Sequence, residues 1–342
     1  MRSDQRRLIS RRDNPFFDTG DAHLFLARRG REVVGRIAAV DNPAYDAHHG
    51  GRQGFFGLFD CIDDVEVAQA LFSAAAKWLR EQGHSRLLGP VNFTTNEECG
   101  ILVEGFDQPP AVLMPYTPPY YTRLLEQCGL APAMELLAWE IGVENLADAP
   151  RAQRLARYAA RIEGMRIRSL DFRDFDAETT RLRTLYNTAW KDNWGFCPAS
   201  EREFAATARL MKRVARPELL LIAEVHGTPV GFSLVLPDIA PALRAAGGRL
   251  HTWGLPIGLM KYWRAARRVG RTRVVATGVL PEYRSRGLDT LLHSELAKAS
   301  RKLGYSAAEV SWVLASNGPA NRAVASLGGR VSKRYALYER SL

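Results

Sequence analysis

A strand, a basic glycine loop and an amphipathic helix follow one another directly in the last quarter of this sequence. The β-branched run at 274–280 ends at a proline, and Leu288 then opens a pattern with leucines at helical spacing. The first turn of a helix has unpaired N–H groups and a partial positive charge, so it binds phosphates well. Arg284 and Arg286 add formal charge, and Gly287 lets a ligand approach the backbone closely. This segment therefore predicts a binding site for a phosphorylated cofactor.

Two residues of this loop stand at the spacing of a known motif. Arg284 and Gly287 fit the pattern Arg/Gln-x-x-Gly-x-Gly/Ala, and the segment resembles the cofactor loop of GNAT acyltransferases. Asp289 departs from that motif, which has a small residue beside the CoA diphosphate. Asp is an ordinary cap at a helix start, so we expect Asp289 to cap the helix and point aside. The resemblance implies acyl-CoA as co-substrate, held by Gly278, Val279, Leu280, Arg284, Ser285, Arg286, Gly287, Leu288, Asp289 and Asn317.

Transfer of an acyl group to an amine needs a base, and Glu309 is the first candidate. It lies in a predicted strand beside the cofactor strand and alternates there with Ser311, a candidate substrate contact. A carboxylate in an apolar acyl cleft would have its pKa raised toward neutrality, which suits removal of a proton from an amine. The alternative is a strand-edge glutamate that faces water. The tyrosine that often serves GNAT enzymes as general acid would align on Val324 and is absent.

A second polar cluster follows a predicted strand at 86–89 in the first half. Loops at strand ends often carry functional residues, so we predict Glu97 and Glu98 as catalytic and Asn92 and Asn96 as substrate-binding. The alternative is an Asx turn with helix-capping acids.

Aromatic residues supply further candidates. Tyr121 could replace the missing acid and Tyr120 could contact substrate, although packing between domains is the alternative for both. Trp194 and Phe196 flank a glycine where the GNAT resemblance implies a flexible acceptor lid. They are predicted to bind substrate, with core packing as the alternative.

The two halves of the sequence repeat one order of elements. A hairpin pattern surrounds Gly30 and another surrounds Gly227, and each half later ends in a glycine followed by a strand. We predict an α+β fold of two tandem GNAT-like domains, each a mixed, mostly antiparallel twisted sheet flanked by helices. The predicted parts are an N-terminal domain without the CoA loop (1–147), a helical linker (148–164) and a C-terminal domain with the CoA-binding motif (165–342).

The composition favours anionic partners. Lys and Arg number 47 against 37 Asp and Glu, a net charge of +10, which suits CoA or an anionic lipid surface. No zinc-finger spacing, RNA-binding motif or long lysine tract is present, so we do not expect nucleic acid as a partner. The four cysteines form no CxxC pair, which predicts reduced thiols in a cytoplasmic protein without a bound metal.

An insertion separates the predicted strands that end near Leu236 and start near Arg273. It contains a basic amphipathic pattern with Trp263, which is typical of helices that lie on anionic membrane surfaces. One interpretation is therefore peripheral association with the inner membrane. The alternatives are a wall around a long acyl chain and a helical hairpin that packs on the sheet.

Five stretches narrow the resemblance to a bacterial family of tandem N-acyltransferases associated with ceramide synthesis. This likeness implies transfer of a long acyl chain from acyl-CoA to the primary amine of a sphingoid base. The alternatives are a small-amine or amino-acid N-acetyltransferase, a tRNA-dependent aminoacyl transferase, and a non-catalytic acyl- or lipid-binding protein. The stretches are Pro-Val-Asn-Phe (90–93), Asn-Glu-Glu-Cys-Gly (96–100), Val-Glu-Gly-Phe-Asp (103–107), Asn-Trp-Gly-Phe (193–196) and Val-Leu-Pro-Glu-Tyr-Arg (279–284).

Overall fold

The computed structural model of the chain describes residues 6–248 and 255–342. The labelled elements of the first half are six strands and three α-helices. Its strands are β1 (Asp21–Arg29), β2 (Glu32–Asp41), β3 (Gln53–Cys61), β4 (Arg86–Gly89), β5 (Ile101–Glu104) and β6 (Ala131–Gly142). Its helices are α1 (Pro43–His49), α2 (Val65–Glu81) and α3 (Tyr120–Gln127).

Two short helices, α4 (Val143–Asp148) and α5 (Pro150–Ala159), lead from β6 to the second half. The labelled helices of the second half are α6 (Phe175–Trp190), α7 (Glu201–Lys212), α8 (Ala240–Ala245), α9 (Ile257–Ala266), α10 (Leu288–Lys302) and α11 (Gly318–Ser326). The strands are β7 (Met165–Ser169), β8 (Leu220–Val225), β9 (Thr228–Pro237), β10 (Arg271–Val279), β11 (Ala307–Leu314) and β12 (Arg330–Ser341).

The strands of both halves join in one mixed sheet. Eleven follow the order β1-β2-β3-β4-β12-β6-β11-β10-β9-β8-β7, and β5 pairs with β12. The pairs β3–β4 and β10–β11 are parallel, whereas the other pairs of named strands are antiparallel. The predicted α+β class, with a mixed and mostly antiparallel sheet flanked by helices, is confirmed.

The closing strands of the two halves are exchanged. β6 comes from the first half but pairs with β11, so it closes the second parallel pair. β12 comes from the second half but pairs with β4, so it closes the first parallel pair. β6 and β12 also pair with each other along most of their length. Backbone hydrogen bonds therefore run continuously across the centre of the molecule, and the division into 1–147, 148–164 and 165–342 stays a prediction.

Both predicted hairpins are present. β1 turns into β2 at Gly30, and β8 turns into β9 at Gly227. The two glycines have φ angles of 62° and 78°, in the left-handed region that favours glycine in tight turns.

Helices cover the sheet in the same way in both halves. In the first half, Asp64 accepts hydrogen bonds from the backbone N–H groups of Glu66 and Val67 and so starts α2, which buries Leu71 and Phe72 against the sheet. In the second half, α10 packs on one face of the sheet and α6 on the other. This packing places the start of α10 at the end of β10.

The insertion between β9 and β10 contains α8 and α9. The predicted basic amphipathic helix is α9, and residues 249–254 of the insertion lie outside the described residues. Among the helices of the described ranges, none combines the length and apolar character needed to cross a bilayer.

Candidate active site

The central feature of the second half is an opening between β10 and β11, which we call the splay cleft. The two strands pair in parallel from Arg271 to Val274, opposite residues 307–310. Beyond that point β10 continues with β9 as far as Val279, and β11 rejoins β6 only at Val313. One side of β10 therefore has backbone groups without a strand partner, which a substrate chain can use.

The direction of these backbone groups follows from the pairing of β10 with β9. The N–H of Leu280 donates to the carbonyl of Val230 on β9 at 2.9 Å. Because hydrogen-bonding groups alternate along an antiparallel strand, the N–H of Gly278 also faces β9, and those of Thr277 and Val279 face the splay cleft. The sequence predicted that Gly278, Val279 and Leu280 donate backbone hydrogen bonds to a thioester. Of these, the N–H groups of Gly278 and Leu280 face β9, and only that of Val279 faces the splay cleft. Thr277, whose N–H also faces the cleft, was not among the predicted donors.

The predicted cofactor loop forms a compact turn before α10. The guanidinium of Arg284 donates to the carbonyls of Ala189 (2.6 Å) and Val279 (3.3 Å), which fixes the loop between α6 and β10. Ser285 and Gly287 have φ angles of 59° and 77°, so the backbone turns sharply here. The N–H groups at the start of α10 have no acceptor within the helix, as an anion site requires.

Gly287 and Asp289 occupy the start of α10. Gly287 is buried, and a Cβ there would lie 2.9 Å from the carbonyl oxygen of Leu155 on α5, so only glycine fits. Gly287 itself is the N-cap residue, and Asp289 makes no cap hydrogen bond. The expected cap is therefore not found, because Asp289 lies inside the first turn, where its carboxylate is exposed and accepts from Thr290 at 3.5 Å.

A chain of hydroxyl groups and one histidine lies against the cofactor strand. The Thr277 hydroxyl is 2.7 Å from the Ser233 hydroxyl and 3.1 Å from His293 Nε2, and Trp190 Nε1 donates to the Thr277 carbonyl. Burial lowers the pKa of His293, and the charge of Asp289 opposes that shift. Sequence reasoning assigned no role to His293. The sequence signal that could have identified His293 is its position one helical turn after Asp289, on the helix that follows the basic loop.

The loop that follows β4 and carries Asn96, Glu97 and Glu98, which we call the acidic loop, is anchored to the second half. Asn96 Nδ2 donates to the carbonyl of Cys197 at 2.9 Å, and the Tyr186 hydroxyl donates to Asn96 Oδ1 at 2.6 Å. The Thr207 hydroxyl donates to Glu97 at 3.1 Å. Asn92 faces inward instead, where its side-chain oxygen accepts from the N–H of Leu58. Asn96 and Glu97 thus contact the second half directly, whereas Asn92 supports β3.

Glu98 differs from its neighbours because its carboxylate is unengaged. It reaches solvent but lies in a recess, where burial raises the pKa of the carboxyl group and the charge of Arg273 lowers it. In residues 6–248 and 255–342, no hydrogen bond or ion pair holds this carboxylate. Burial also raises the pKa of Glu97, and the hydrogen bond from Thr207 opposes that shift.

Arg273 links the recess to the interior of the sheet. Its side chain is almost fully buried and donates to the Val112 carbonyl (2.7 Å), the Ser311 hydroxyl (3.0 Å) and the Ser311 carbonyl (3.1 Å). Burial lowers the pKa of this guanidinium, and the charge of Glu309 raises it. The nearby Tyr335 hydroxyl is buried and has no partner among the described residues.

Glu309 does not lie in an apolar cleft. Its fully buried carboxylate accepts from Lys333 Nζ at 2.7 Å, from Arg271 at 3.1 Å and from the Ser311 hydroxyl at 2.7 Å. Two cations therefore surround the predicted base, and Ser311 is engaged with Glu309 and Arg273. The apolar surroundings that motivated this prediction are absent from the described part of the chain, because Lys333 arrives on the exchanged strand β12.

Several other predicted residues have structural partners. The hydroxyls of Tyr120 and Tyr121 bond to Cys61 and Asp60 in the first half, and the structure does not bring them to the splay cleft. Asn317 caps α11 by accepting from the N–H of Ala320.

Trp194 and Phe196 lie on the segment that docks against the acidic loop and α1. Trp194 is partly exposed, whereas Phe196 is buried against Tyr186 and His48. The neighbouring Gly195 carbonyl accepts from Thr95 at 2.5 Å. The predicted lid therefore contacts both halves.

One group of residues has the composition of a metal site. Asp41, Asp46 and His84 approach one another in the first half, where His84 Nε2 lies 3.0 Å from Asp41 and Nδ1 lies 3.8 Å from Asp46. These contacts form an internal carboxylate–histidine cluster, and the expectation of no bound metal stays a prediction.

The sequence is similar to known proteins along nearly its whole length. The family described as Acetyltransferase (GNAT) family matches residues 179–328. A bacterial ceramide synthase from Caulobacter vibrioides (strain NA1000 / CB15N) is 36% identical over an alignment of 342 positions, and the match covers 98% of this chain and 87% of that protein. Protein YghO from Escherichia coli (strain K12) is 34% identical over 335 residues, 96% of this chain and 84% of that protein.

Solved structures share the fold at lower identity. A tandem GNAT protein from the clavulanic acid biosynthesis pathway has a TM-score of 0.51 and 15% identity, covering 96% of this chain and 84% of that chain. A GCN5-related N-acetyltransferase from Sphaerobacter thermophilus has a TM-score of 0.52 and 17% identity, covering 94% and 80%. These likenesses show that the chain has the GNAT fold.

Proposed function

The chain belongs to the GNAT family of acyltransferases, and we propose that it attaches a long acyl chain from acyl-CoA to the amine of a sphingoid base. The observation that carries the proposal is the 36% identity to a bacterial ceramide synthase over 98% of this chain. Membership of the family makes the protein an N-acyltransferase. The chain length of the donor and the identity of the acceptor are the proposed parts.

The donor is proposed to bind along β10 and the loop that follows. The diphosphate of CoA would accept hydrogen bonds from the N–H groups at the start of α10, next to the charge of Arg286. Gly278 has no side chain, and a Cβ there would lie 2.4 Å from the Phe232 ring, so the strand lies close against its neighbour. Thr277 and Val279 would then point their N–H groups at the thioester.

The base is proposed to be Glu98. Its carboxylate is free of other partners among the described residues, and burial raises its pKa toward the range that suits proton removal from an amine. Glu97 is the weaker candidate because Thr207 already engages it. Glu309 is proposed to be structural, since Lys333 and Arg271 hold it.

In the proposed mechanism these groups carry out direct transfer. Glu98 takes a proton from the substrate ammonium, and the amine nitrogen attacks the thioester carbon to form a C–N bond. The N–H groups of Thr277 and Val279 stabilise the oxyanion. The C–S bond then breaks, and the second proton lost by the nitrogen passes to the departing thiolate. We propose that the Thr277 hydroxyl, which contacts Ser233 and His293, assists that protonation.

Peripheral membrane association forms the second part of the proposal. On α9, Met260 and Trp263 are 68% and 59% exposed, which is unusual for large apolar side chains. Basic residues flank them, and a helix of this kind lies on anionic membrane surfaces. A sphingoid base and a long acyl chain both partition into membranes, so this surface would bring the enzyme to its substrates.

Acyl-transfer assays test the proposed function. The purified protein is incubated with palmitoyl-CoA or acetyl-CoA, and with sphinganine or a small primary amine, and products are identified by mass spectrometry. The proposal predicts N-palmitoyl sphinganine as the main product. If transfer from acetyl-CoA to the small amine were as fast as transfer from palmitoyl-CoA to sphinganine, the proposed function would be wrong. The protein would then be a small-amine acetyltransferase.

A further inference from the structure

A cavity of about 570 Å³ lies beside the exposed face of α9. Its walls come from α8, from α9 with the turn that follows, and from a proline pair of the first half. Apolar lining comes from Pro109, Pro110 and Pro241, whereas Lys261, Arg264 and Arg268 supply three cationic side chains.

Four cations line this cavity, and one of them, Arg271, is paired with Glu309 at 3.1 Å. Within the described ranges, 6–248 and 255–342, no ion pair or hydrogen bond is found for the side chains of Lys261, Arg264 and Arg268. Asp238 also lines the cavity, but its carboxylate accepts from the N–H of Val112 at 2.8 Å and lies 4.0 Å from Arg271. The cavity therefore has an excess of positive charge that an anion would satisfy.

The spacing of the residues relates this cavity to the proposed membrane-binding face. Lys261, Arg264 and Arg268 are separated by three and four residues and so share one face of the helix and its C-terminal turn. Met260 and Trp263 lie on the adjacent face and are exposed. If these apolar side chains entered the acyl boundary of a bilayer, the cationic residues on the adjacent face would lie near the lipid headgroups.

We propose that this cavity binds the phosphate of an anionic phospholipid headgroup. The inference rests on the proposed membrane association and adds to it a specific lipid contact. A phosphodiester offers acceptor oxygens to the two guanidinium groups, and the proline walls accommodate the glycerol backbone. A lipid held there would orient the protein with α9 against the membrane, where the proposed substrates of the enzyme are dissolved.

Arg267 provides a matched control for a test of this site. It is exposed and carries the same charge on the same segment, but it does not line the cavity. Arg264→Gln, Arg268→Gln and Arg267→Gln are compared by flotation with vesicles of phosphatidylcholine, with and without phosphatidylglycerol. A headgroup site predicts that Arg264→Gln and Arg268→Gln each weaken binding to the anionic vesicles about tenfold more than Arg267→Gln.

The outcomes distinguish this site from the association on which it rests. If all three variants lose affinity equally, the attraction is diffuse and the headgroup site is overturned, although membrane association stands. If the wild-type protein ignores anionic vesicles but transfers acyl groups, both the site and the membrane association are overturned. If inorganic phosphate released the protein from phosphatidylglycerol vesicles as effectively as an excess of the same vesicles does, the cavity would be a site for a free anion. The assignment to a lipid headgroup would then be overturned.

Discussion

The hydroxyl of Tyr186, in the second half of the chain, lies 2.6 Å from the side-chain oxygen of Asn96, in the first. Asn96 also donates to the Cys197 carbonyl at 2.9 Å, so this residue alone makes two bonds from the acidic loop to the half that carries the cofactor loop. Glu98 stands two residues beyond this attachment. The relationship supports a site in which the acid–base group and the acyl donor come from different halves.

Removal of the Tyr186 hydroxyl tests this attachment. Tyr186→Phe keeps the ring packing but loses one hydrogen bond, whose net value is about 0.5–1.5 kcal/mol. We expect kcat/KM for acyl transfer to fall about two- to tenfold, with palmitoyl-CoA affinity unchanged. Tyr116→Phe is the control, because its hydroxyl bonds the Phe106 carbonyl in an exposed position. Equal kinetics for the two variants would show that the attachment does not matter.

Gly287 tests the cofactor loop. Gly287→Ala places a Cβ 2.9 Å from the Leu155 carbonyl and forces a left-handed conformation, which costs about 1–2 kcal/mol. Gly304→Ala has a similar φ angle but open space around the new Cβ. We expect both variants to lose stability in denaturant unfolding, but only Gly287→Ala to lose CoA affinity in calorimetric titration. Normal CoA affinity of Gly287→Ala would contradict the proposed binding of the CoA diphosphate at this loop.

The fold and the site were predictable from the sequence to different degrees. The hairpins at Gly30 and Gly227 and the loop before α10 follow from local patterns, and the structure contains them. The exchange of β6 and β12 was not predictable, because an apolar closing strand has the same pattern whichever half it joins.

The same non-local pairing explains the outcome for Glu309. Its spacing suggested a base, but Lys333 lies 24 residues away and reaches it only through the exchanged strand. Glu98 was predicted from a polar loop at a strand end, and the charge that acts on its pKa belongs to Arg273, which is distant in sequence. His293 was missed because a single histidine without a cluster carries little information until its neighbour Thr277 is known.

The buried ion pair predicts a stability effect. Lys333→Met leaves the Glu309 carboxylate fully buried with one cation fewer, and loss of one partner of a buried pair costs about 3–5 kcal/mol. Lys298→Met removes an exposed pair with Glu295, for which we expect a loss of less than about 1 kcal/mol. The free energy of unfolding in urea measures both changes. Similar values for the two variants would contradict the assignment of Glu309 as a structural carboxylate.

The pH dependence of the rate provides a further prediction. Burial raises the pKa of Glu98, and Arg273 opposes this only in part. A base acts when deprotonated, so kcat/KM should fall as the pH drops through this raised pKa, at higher pH than for an ordinary glutamate. We expect Arg273→Gln to move the acidic limb of the profile further upward, since an attractive charge is removed. An acidic limb at the usual pKa of glutamate would argue against Glu98.

The most direct test is the turnover of Glu98→Gln with palmitoyl-CoA and sphinganine, measured beside its affinity for palmitoyl-CoA. The carboxylate has no partner among the described residues, so the substitution should leave the fold and the donor site intact. We predict unchanged palmitoyl-CoA affinity and a turnover lower by about 10²–10⁴-fold, as for loss of a general base. Wild-type turnover in Glu98→Gln would contradict a site built from both halves of the chain.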